Sequence, residues 1–273
     1  PYSRISWHFE YQEDDHDAGE KTFLGETGNF DGDDIIEIIC RQDAAANFIS
    51  RHLYNFFVED EVSVPSWSDT SPKNPEAISL LAQTYVESDH SILAMLRVLF
   101  NSDFFKQAAY KKVKGPVELV AGTLRLTGEM DSPKPGLIAI FENAGFMGQR
   151  PFYPPSVEGW HTGQEWVNSG TLMERVNFAA SHIGNLNHPG IRDLVDRVVD
   201  SCGTRPDPEA LVNKVLELLG PVYASSETRA SLINLASRNG TIDASDYPNN
   251  LEFDKLASDV LRMVTATREY QMV

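Results

Sequence analysis

The chain has 273 residues, of which 41% are hydrophobic, so it can bury a substantial core as one large domain or two closely packed ones. Its formal charge is -17, from 40 acidic against 23 basic residues, which argues against a nucleic-acid surface because phosphate binding needs clustered Lys and Arg. No apolar stretch approaches the roughly 20 residues that a membrane-spanning helix needs. The composition therefore predicts a folded, acidic protein without a transmembrane segment.

The N-terminal residues have the pattern of a small β element. Residues 3–11 alternate apolar and polar side chains, which predicts a half-buried strand. Residues 21–25 could form a short return strand, and residues 14–19 would then be the hairpin loop. Because the chain begins at Pro1, without an initiator Met or a signal-like apolar run before this strand pattern, we expect an upstream region.

Beyond residue 33 the apolar side chains recur with the spacing of amphipathic helices. Asp33 or Asp34 would cap a short helix that ends at Cys40, and Asp43 would cap a longer helix with Phe48 and Phe56 on its core face.

Capping signals also mark three further helices. Asn74 with Pro75 would begin one, Asp89 the next, and Gly115 with Pro116 a third that stops at Gly128. Later helices are predicted over residues 172–183, 191–200, 208–219, 227–237 and 253–268.

Two segments between these helices differ from the rest. After a Pro- and Gly-rich linker, "GLIAIFENAGFMGQ" predicts a short buried helix. In residues 151–171 the apolar side chains recur neither with the spacing of a helix nor with that of a strand. The predicted fold is mainly α: a multi-helical, orthogonal or irregular bundle with a small N-terminal β-hairpin and a long loop rich in Trp, Pro and Gly. We expect a single helical domain over residues 1–273, composed of a hairpin and acidic turn region (1–34), a first helical part (35–150), the loop (151–171) and a second helical part (172–273).

The acidic run "EDDHDAGEKTFLGETGNFDGDD" is the first candidate for chemistry. No frame of it fits a helix-flanked calcium loop, and it holds no phosphate-binding glycine motif or common zinc motif. An irregular divalent-cation site stays open, as does the absence of any cofactor. The metal candidates are Asp14, Asp15, Asp17, Asp31 and Asp33.

In the same run, His16 with Asp17 or Lys21 could act in acid/base catalysis. The structural alternative is that these residues form a turn and that Asp33 and Asp34 begin a helix, since Asp, Gly and Asn are the residues that turns require.

The second candidate is the irregular loop. Trp160 and Trp166, with Phe152 and Tyr153, could form an aromatic platform for a sugar ring or a partner's side chain. The alternative is that these aromatic residues are buried and pin the loop. Ser169, Gly170 or Thr171 would cap the following helix, with Glu174 completing a capping box after Thr171.

Cys40 and Cys202 lie in helical patterns, which favours two buried thiols over a disulfide.

Two long motifs relate the chain to a known family. "HDAGEKTFLGETGNFDGDDII" resembles the H-D-x-G-x-K-x-x-L-G segment of the bacterial family catalogued as domain of unknown function 1800. "FYPPSVEGWHTGQEWVNSGTLMERVNFA" resembles that family's F-x-P-P-x-V-x-G-W-x-G-G-x-x-W-x-x-x-x-x-L-x-x-R-x-N-F segment. "LRMVTATREYQMV" resembles its closing segment, so the resemblance covers essentially the whole chain. One departure is Thr162, which stands where the family more often has a glycine.

The resemblance implies a location outside the cytoplasm (periplasm, cell surface or secreted), because members commonly carry export signals. It also implies a longer N-terminal side and a possible partner from a second exported family, numbered 1501 and related to sulfatases. It supplies no reaction.

Two classes of function follow. One is a helical scaffold or interaction protein in a cell-envelope or extracellular assembly. The other is an exported metal-dependent hydrolase or carbohydrate-binding protein that uses His16, Asp17 and Lys21 with Trp160 and Trp166.

Overall fold

A computed structural model describes residues 10–130, 132–220, 222–238 and 240–273. These residues form twelve α-helices and one two-stranded antiparallel sheet, which confirms the mainly α fold with an N-terminal hairpin. Residues 3–9 of the strand predicted over residues 3–11 lie outside the described residues. None of the described helices is both long and apolar enough to cross a membrane.

The hairpin lies later in the chain than the sequence predicts. Strand β1 (Lys21–Phe23) pairs with β2 (Glu26–Gly28), so its turn is Leu24-Gly25 and not residues 14–19. Leu24 and Gly25 both have positive φ, 47° and 86°, as a two-residue turn that matches the strand twist requires. Glycine at the second position makes this tight turn accessible.

The chain divides into two compact units. The first comprises the described residues 10–57 and Pro72–Lys106 and contains the hairpin with five helices: α1 (Gly32–Cys40), α2 (Asp43–Phe57), α3 (Pro75–Glu87), α4 (Ile92–Asn101) and α5 (Asp103–Lys106). The α3 helix begins as predicted, with the side chain of Asn74 accepting a hydrogen bond from the backbone N–H of Ala77. The α4 helix is capped by Ser91 and not by Asp89.

The core face of α2 differs from the prediction. Phe48 and Phe56 are more than half exposed, and the buried residues are Ala46, Ser50, Arg51 and Tyr54. The small side chains at positions 46 and 50 allow α3 to pack closely. The Ser50 hydroxyl donates to the carbonyl of Ala46 at 2.7 Å, so this polar group is buried at little cost.

The second unit comprises Val58–Ser71 and Gln107–Val273. Its seven helices are α6 (Pro116–Thr127), α7 (Leu137–Phe146), α8 (Ser169–Ile183), α9 (Pro189–Cys202), α10 (Pro208–Leu218), α11 (Ser226–Ser237) and α12 (Leu251–Thr265). All seven contribute to one hydrophobic core, with α12 and α8 near its centre. The single-domain organisation inferred from the sequence stays a prediction.

Cys40 and Cys202 are both free, partly buried thiols, and burial raises the pKa of the Cys202 thiol.

Two helix ends show how local chemistry sets the boundaries. The α6 helix stops at Gly128, as predicted, with φ 65°. The α8 helix begins before the predicted residue 172, because the Asn168 side chain accepts hydrogen bonds from the backbone N–H groups of Gly170 and Thr171, both at 3.0 Å. The Thr171 hydroxyl in turn accepts from the N–H of Asn168 at 3.0 Å. The capping box is therefore formed by Asn168 with Thr171, and not by Thr171 with Glu174.

The α7 helix is not the buried helix that its apolar sequence suggests. Ile138, Phe141 and Phe146 are 79%, 51% and 65% exposed, whereas Ala144 is buried. The helix packs on the rest of the second unit along a narrow side that includes Ala144. Composition alone misleads here because α7 is apolar except for Glu142 and Asn143, and a single flank is enough to attach it.

The side chain of Arg175 is fully buried at the centre of the second unit. Its Nε donates to Oε1 of Gln271 at 2.9 Å, and its Nη2 donates to the carbonyl of Lys114 at 2.7 Å. The chain around Lys114 also pairs with the C-terminal residues, since the N–H of Lys114 donates to the carbonyl of Gln271 at 2.9 Å. Burial lowers the pKa of Arg175 to about 10.

We expect Arg175→Ala to lower the free energy of unfolding by about 2–4 kcal/mol, because it leaves two buried acceptors unpaired and opens a cavity. Urea denaturation followed by circular dichroism measures this change. Arg238→Ala removes an exposed arginine from the end of α11 and should change stability by less than about 0.5 kcal/mol. Equal effects of the two substitutions would contradict the anchoring role of Arg175.

Candidate functional site

The acidic run forms a turn whose polar side chains bind its own backbone. Asp17 Oδ1 accepts a hydrogen bond from the N–H of Gly19 at 2.8 Å. Lys21 Nζ donates to the carbonyl of Asp17 and, at 3.1 Å, to that of Gly19. His16 lies in the same turn, with its ring centre 5.4 Å from that of Tyr11. The structure therefore brings His16, Asp17 and Lys21 into one turn, where Asp17 and Lys21 stabilise its backbone. The acid/base role of His16 stays a prediction.

The second half of the run begins helix α1. Asp31, and not Asp33 or Asp34, is the capping residue: its Oδ1 accepts from the N–H groups of Asp33 and Asp34 at 2.9 and 3.0 Å. Asp34 Oδ2 accepts in return from the N–H of Asp31 at 2.9 Å. The hydrogen bonds from the backbone N–H groups of Asp34 and Asp33 hold the pKa of Asp31 below its ordinary value.

Across the described residues, the carboxylates of Asp14, Asp15, Asp17, Asp31 and Asp33 do not gather into a metal-ligand group.

The four aromatic residues of the irregular loop divide into two pairs. Phe152 and Tyr153 are 90% and 70% exposed, and the guanidinium of Arg150 lies 5.2 Å from the centre of the Tyr153 ring. Trp160 is half-buried and donates from Nε1 to the carbonyl of Arg150 at 3.2 Å. Trp166 is only 6% exposed. The two tryptophans thus pin the loop, while Phe152 and Tyr153 point outward.

The loop is also held against Asp60. Gly163 has φ +61°, and a Cβ at this position would lie 2.9 Å from the side chain of Asp60, so the close approach requires glycine. Thr162 has an extended backbone, with φ -138° and ψ 161°, which any residue can adopt. The departure from the family pattern at Thr162 therefore causes no strain.

A third group of side chains was not predicted from the sequence. Glu129 Oε1 lies 2.6 Å from His182 Nδ1, and Glu129 Oε2 lies 3.2 Å from His188 Nε2. The two imidazole rings are stacked, with centres 5.8 Å apart. We call these three residues the Glu-His-His cluster. Their side chains are 14–22% exposed, so the cluster is mostly buried but reaches the surface.

Three element ends place the Glu-His-His cluster. Glu129 follows Gly128 at the end of α6, His182 is in the last turn of α8, and His188 caps α9. The ends of α6 and α9 meet closely, because a Cβ on Gly190 would lie 2.1 Å from the carbonyl oxygen of Leu126. Glycine at position 190 therefore permits the approach that brings His188 to Glu129.

The polar atoms of the Glu-His-His cluster are poorly satisfied. Glu129 Oε1 and His182 Nδ1 are both buried and, although 2.6 Å apart, are not aligned for a hydrogen bond. Asn185 Nδ2 lies 3.2 Å from His188 Nε2. Asn185 Nδ2 and Glu129 Oε2 therefore both lie 3.2 Å from the same ring nitrogen of His188. Two imidazole nitrogens and a carboxylate in this arrangement can share a cation or protons.

An open crevice of about 660 Å³ lies near this group. It is lined mostly by polar side chains from α8, α12 and the connection after α8, and Asn185 borders it. Asp254, on the same crevice, makes a two-pronged ion pair with Arg192 at 2.9 and 3.1 Å. Asn185 therefore joins the surface of the crevice to the Glu-His-His cluster.

The contribution of Asp31 to stability should depend on pH. Because its pKa in the folded protein is lowered, this contribution is complete above the ordinary value of 3.8 and is lost as the pH falls through the folded value. Urea denaturation of wild type and Asp31→Ala from about pH 6 to about pH 3 should show a stability difference that shrinks at the acid end. Asp14→Ala, in an exposed turn, should show a smaller difference from wild type at neutral pH. A pH-independent difference for Asp31→Ala would contradict the capping role.

Gly190→Ala should destabilise the protein by about 2 kcal/mol, because the added methyl group overlaps the backbone of α6. The matched control is Gly122→Ala, where the methyl group meets no atom within 4 Å and should stabilise α6 by about 0.5–1 kcal/mol. Urea denaturation measures both changes. Similar effects of the two substitutions would contradict a close contact at Gly190.

The comparisons with known proteins concern the whole chain. No curated protein and no solved structure is significantly similar to it. Residues 4–272 match the family described as protein of unknown function (DUF1800), in agreement with the two motifs around His16 and Trp160. The chain belongs to the DUF1800 family.

Proposed function

We propose that this protein is a helical scaffold outside the cytoplasm that binds another protein through the segment from residue 138 to residue 157. One observation supports this function: six large apolar side chains within 20 residues are each more than half exposed. They are Ile138, Phe141, Phe146, Phe152, Tyr153 and Val157. Exposed apolar surface of this density is typical of binding surfaces.

The residue types in this segment suit protein recognition. Tyr, Phe and Arg are enriched at the centres of interfaces, and the segment presents Phe152 and Tyr153 with Arg150 beside the Tyr153 ring. Burying one such aromatic side chain removes on the order of 150–250 Å² from water, which is a large part of the driving force for a modest interface.

The loop is also organised before any partner binds. Trp166 is buried, Trp160 is hydrogen-bonded to the backbone of Arg150, and Gly163 packs against Asp60. These contacts restrict the loop that carries Phe152 and Tyr153. Less conformational entropy is then lost on binding, which favours affinity.

Family membership supports the location and the partner. Members of the family commonly carry export signals and are often encoded beside exported proteins of the family numbered 1501, so we propose such a protein as the partner. The net charge of -17 favours a partner with a basic rim around the contact.

The test is co-expression with a family 1501 protein from the same organism, followed by size-exclusion chromatography and a titration of the purified components. The wild-type protein should form a complex, and Phe152→Asn with Tyr153→Ser should weaken it at least about tenfold. Asn is chosen at position 152 because φ there is +60°, a conformation that Asn tolerates.

The matched control is Leu251→Ser, which removes an equally exposed apolar side chain at the start of α12, outside the segment. It should leave the affinity unchanged. A complex that withstands the double substitution, or the absence of a complex with the wild-type protein, would contradict the proposal.

A further inference from the structure

We propose that Glu129, His182 and His188 bind a divalent transition metal ion of the Zn²⁺ class. The inference goes beyond the scaffold function and does not depend on it. It rests on the positions of the donor atoms, on the unsatisfied buried atoms among them, and on their access to solvent.

The donor atoms converge on a single point. Within the described residues, this is the one group of three or more His, Cys, Asp or Glu side chains whose ligand atoms all lie within 4.8 Å of one another. Tetrahedral zinc with bonds of about 2.0–2.1 Å holds its ligand atoms about 3.3 Å apart. The separation of 3.2 Å between Glu129 Oε2 and His188 Nε2 is close to this value, whereas Glu129 Oε1 and His182 Nδ1, at 2.6 Å, would have to move apart. Small side-chain rotations would complete the coordination.

Two buried atoms of the Glu-His-His cluster lack hydrogen-bond partners, which favours the binding of an ion. Glu129 Oε1 and His182 Nδ1 are buried and close, yet make no hydrogen bond with each other. Leaving such a group without a partner costs about 1–3 kcal/mol. A cation coordinated by the two atoms would satisfy both at once.

The ligand types select the ion. Two imidazole nitrogens and one carboxylate suit Zn²⁺ and its neighbours, whereas Ca²⁺ and Mg²⁺ prefer sites made of oxygen alone. Three protein ligands leave a fourth tetrahedral position for water. The 14–22% exposure of the three side chains provides the solvent access that this position and metal entry need.

Neighbouring contacts orient the ligands. The His182 ring packs against Phe178, with centres 4.4 Å apart, and the side chain of Asn185 contacts His188. Asn185 Oδ1 accepts from the N–H of Asn187 at 3.1 Å, so its amide is itself fixed. Asn185 Nδ2 contacts the same His188 nitrogen that would bind the ion, so the ion would replace this contact.

The experiment is a titration of the metal-free full chain with Co²⁺ and with Zn²⁺, followed by visible absorption and calorimetry. The wild-type protein should bind about one equivalent of either ion, and bound Co²⁺ should show the intense visible bands of four-coordinate geometry. His182→Gln and Glu129→Gln should each weaken binding by more than roughly 100-fold, which exceeds the loss of an orienting neighbour. Circular dichroism and urea midpoints of the metal-free variants verify that they fold.

The matched control is His161→Gln. His161 also faces a carboxylate, with Nδ1 3.4 Å from Glu165 Oε2, but this pair is exposed and has only two members. Its substitution should leave the affinity unchanged. Absence of stoichiometric binding to the wild-type protein would overturn the proposal. Equal binding by wild type and His182→Gln would also overturn it, because the ion would then lie elsewhere.

Discussion

The buried guanidinium of Arg175 joins three stretches of the second unit that are far apart in the sequence. It lies on α8 and donates to the side chain of Gln271 and to the backbone carbonyl of Lys114. Both acceptors are neutral, and the charge of Glu118 offsets only part of the cost of burial, so the pKa of Arg175 is lowered. The charge is retained in a buried site because its planar group can donate in two directions at once. An apolar side chain of the same size would fill the space without fixing either segment.

A second buried charge holds the same segment from another direction. Asp60 accepts from the N–H of Val113 at 2.7 Å and from Lys112 Nζ at 3.0 Å, next to the carbonyl of Lys114 that Arg175 binds. The segment at residues 112–114 is thus fixed through both its N–H and its carbonyl groups. Since Gly163 packs on Asp60, the irregular loop is attached to the same network. The exposed Phe152 and Tyr153 are therefore presented by a rigid part of the unit.

The sequence predicted the features that depend on local chemistry. Asn74 with Pro75 begins α3, and Gly128 ends α6, because caps and left-handed stops are decided within a few residues. The sequence did not predict the features that depend on tertiary contacts. The α7 helix is apolar except for Glu142 and Asn143, and nothing in its sequence shows that only the side with Ala144 is covered. Likewise, Asp31, Asp33 and Asp34 are all acceptable caps, and only the backbone geometry selects Asp31.

The Glu-His-His cluster could not be predicted from spacing, because Glu129 is far from both histidines in the sequence, and the helix ends between His182 and His188. The acidic run drew attention instead, since carboxylates next to one another suggest a cation site. With a net charge of -17, however, carboxylates anywhere on this surface attract cations without selecting among them. Selection requires nitrogen donors in a fixed arrangement, since imidazole favours transition metals over Ca²⁺ and Mg²⁺. Gly190 provides that arrangement by allowing α9 to approach α6, so one glycine without chemical function decides whether the three ligands meet.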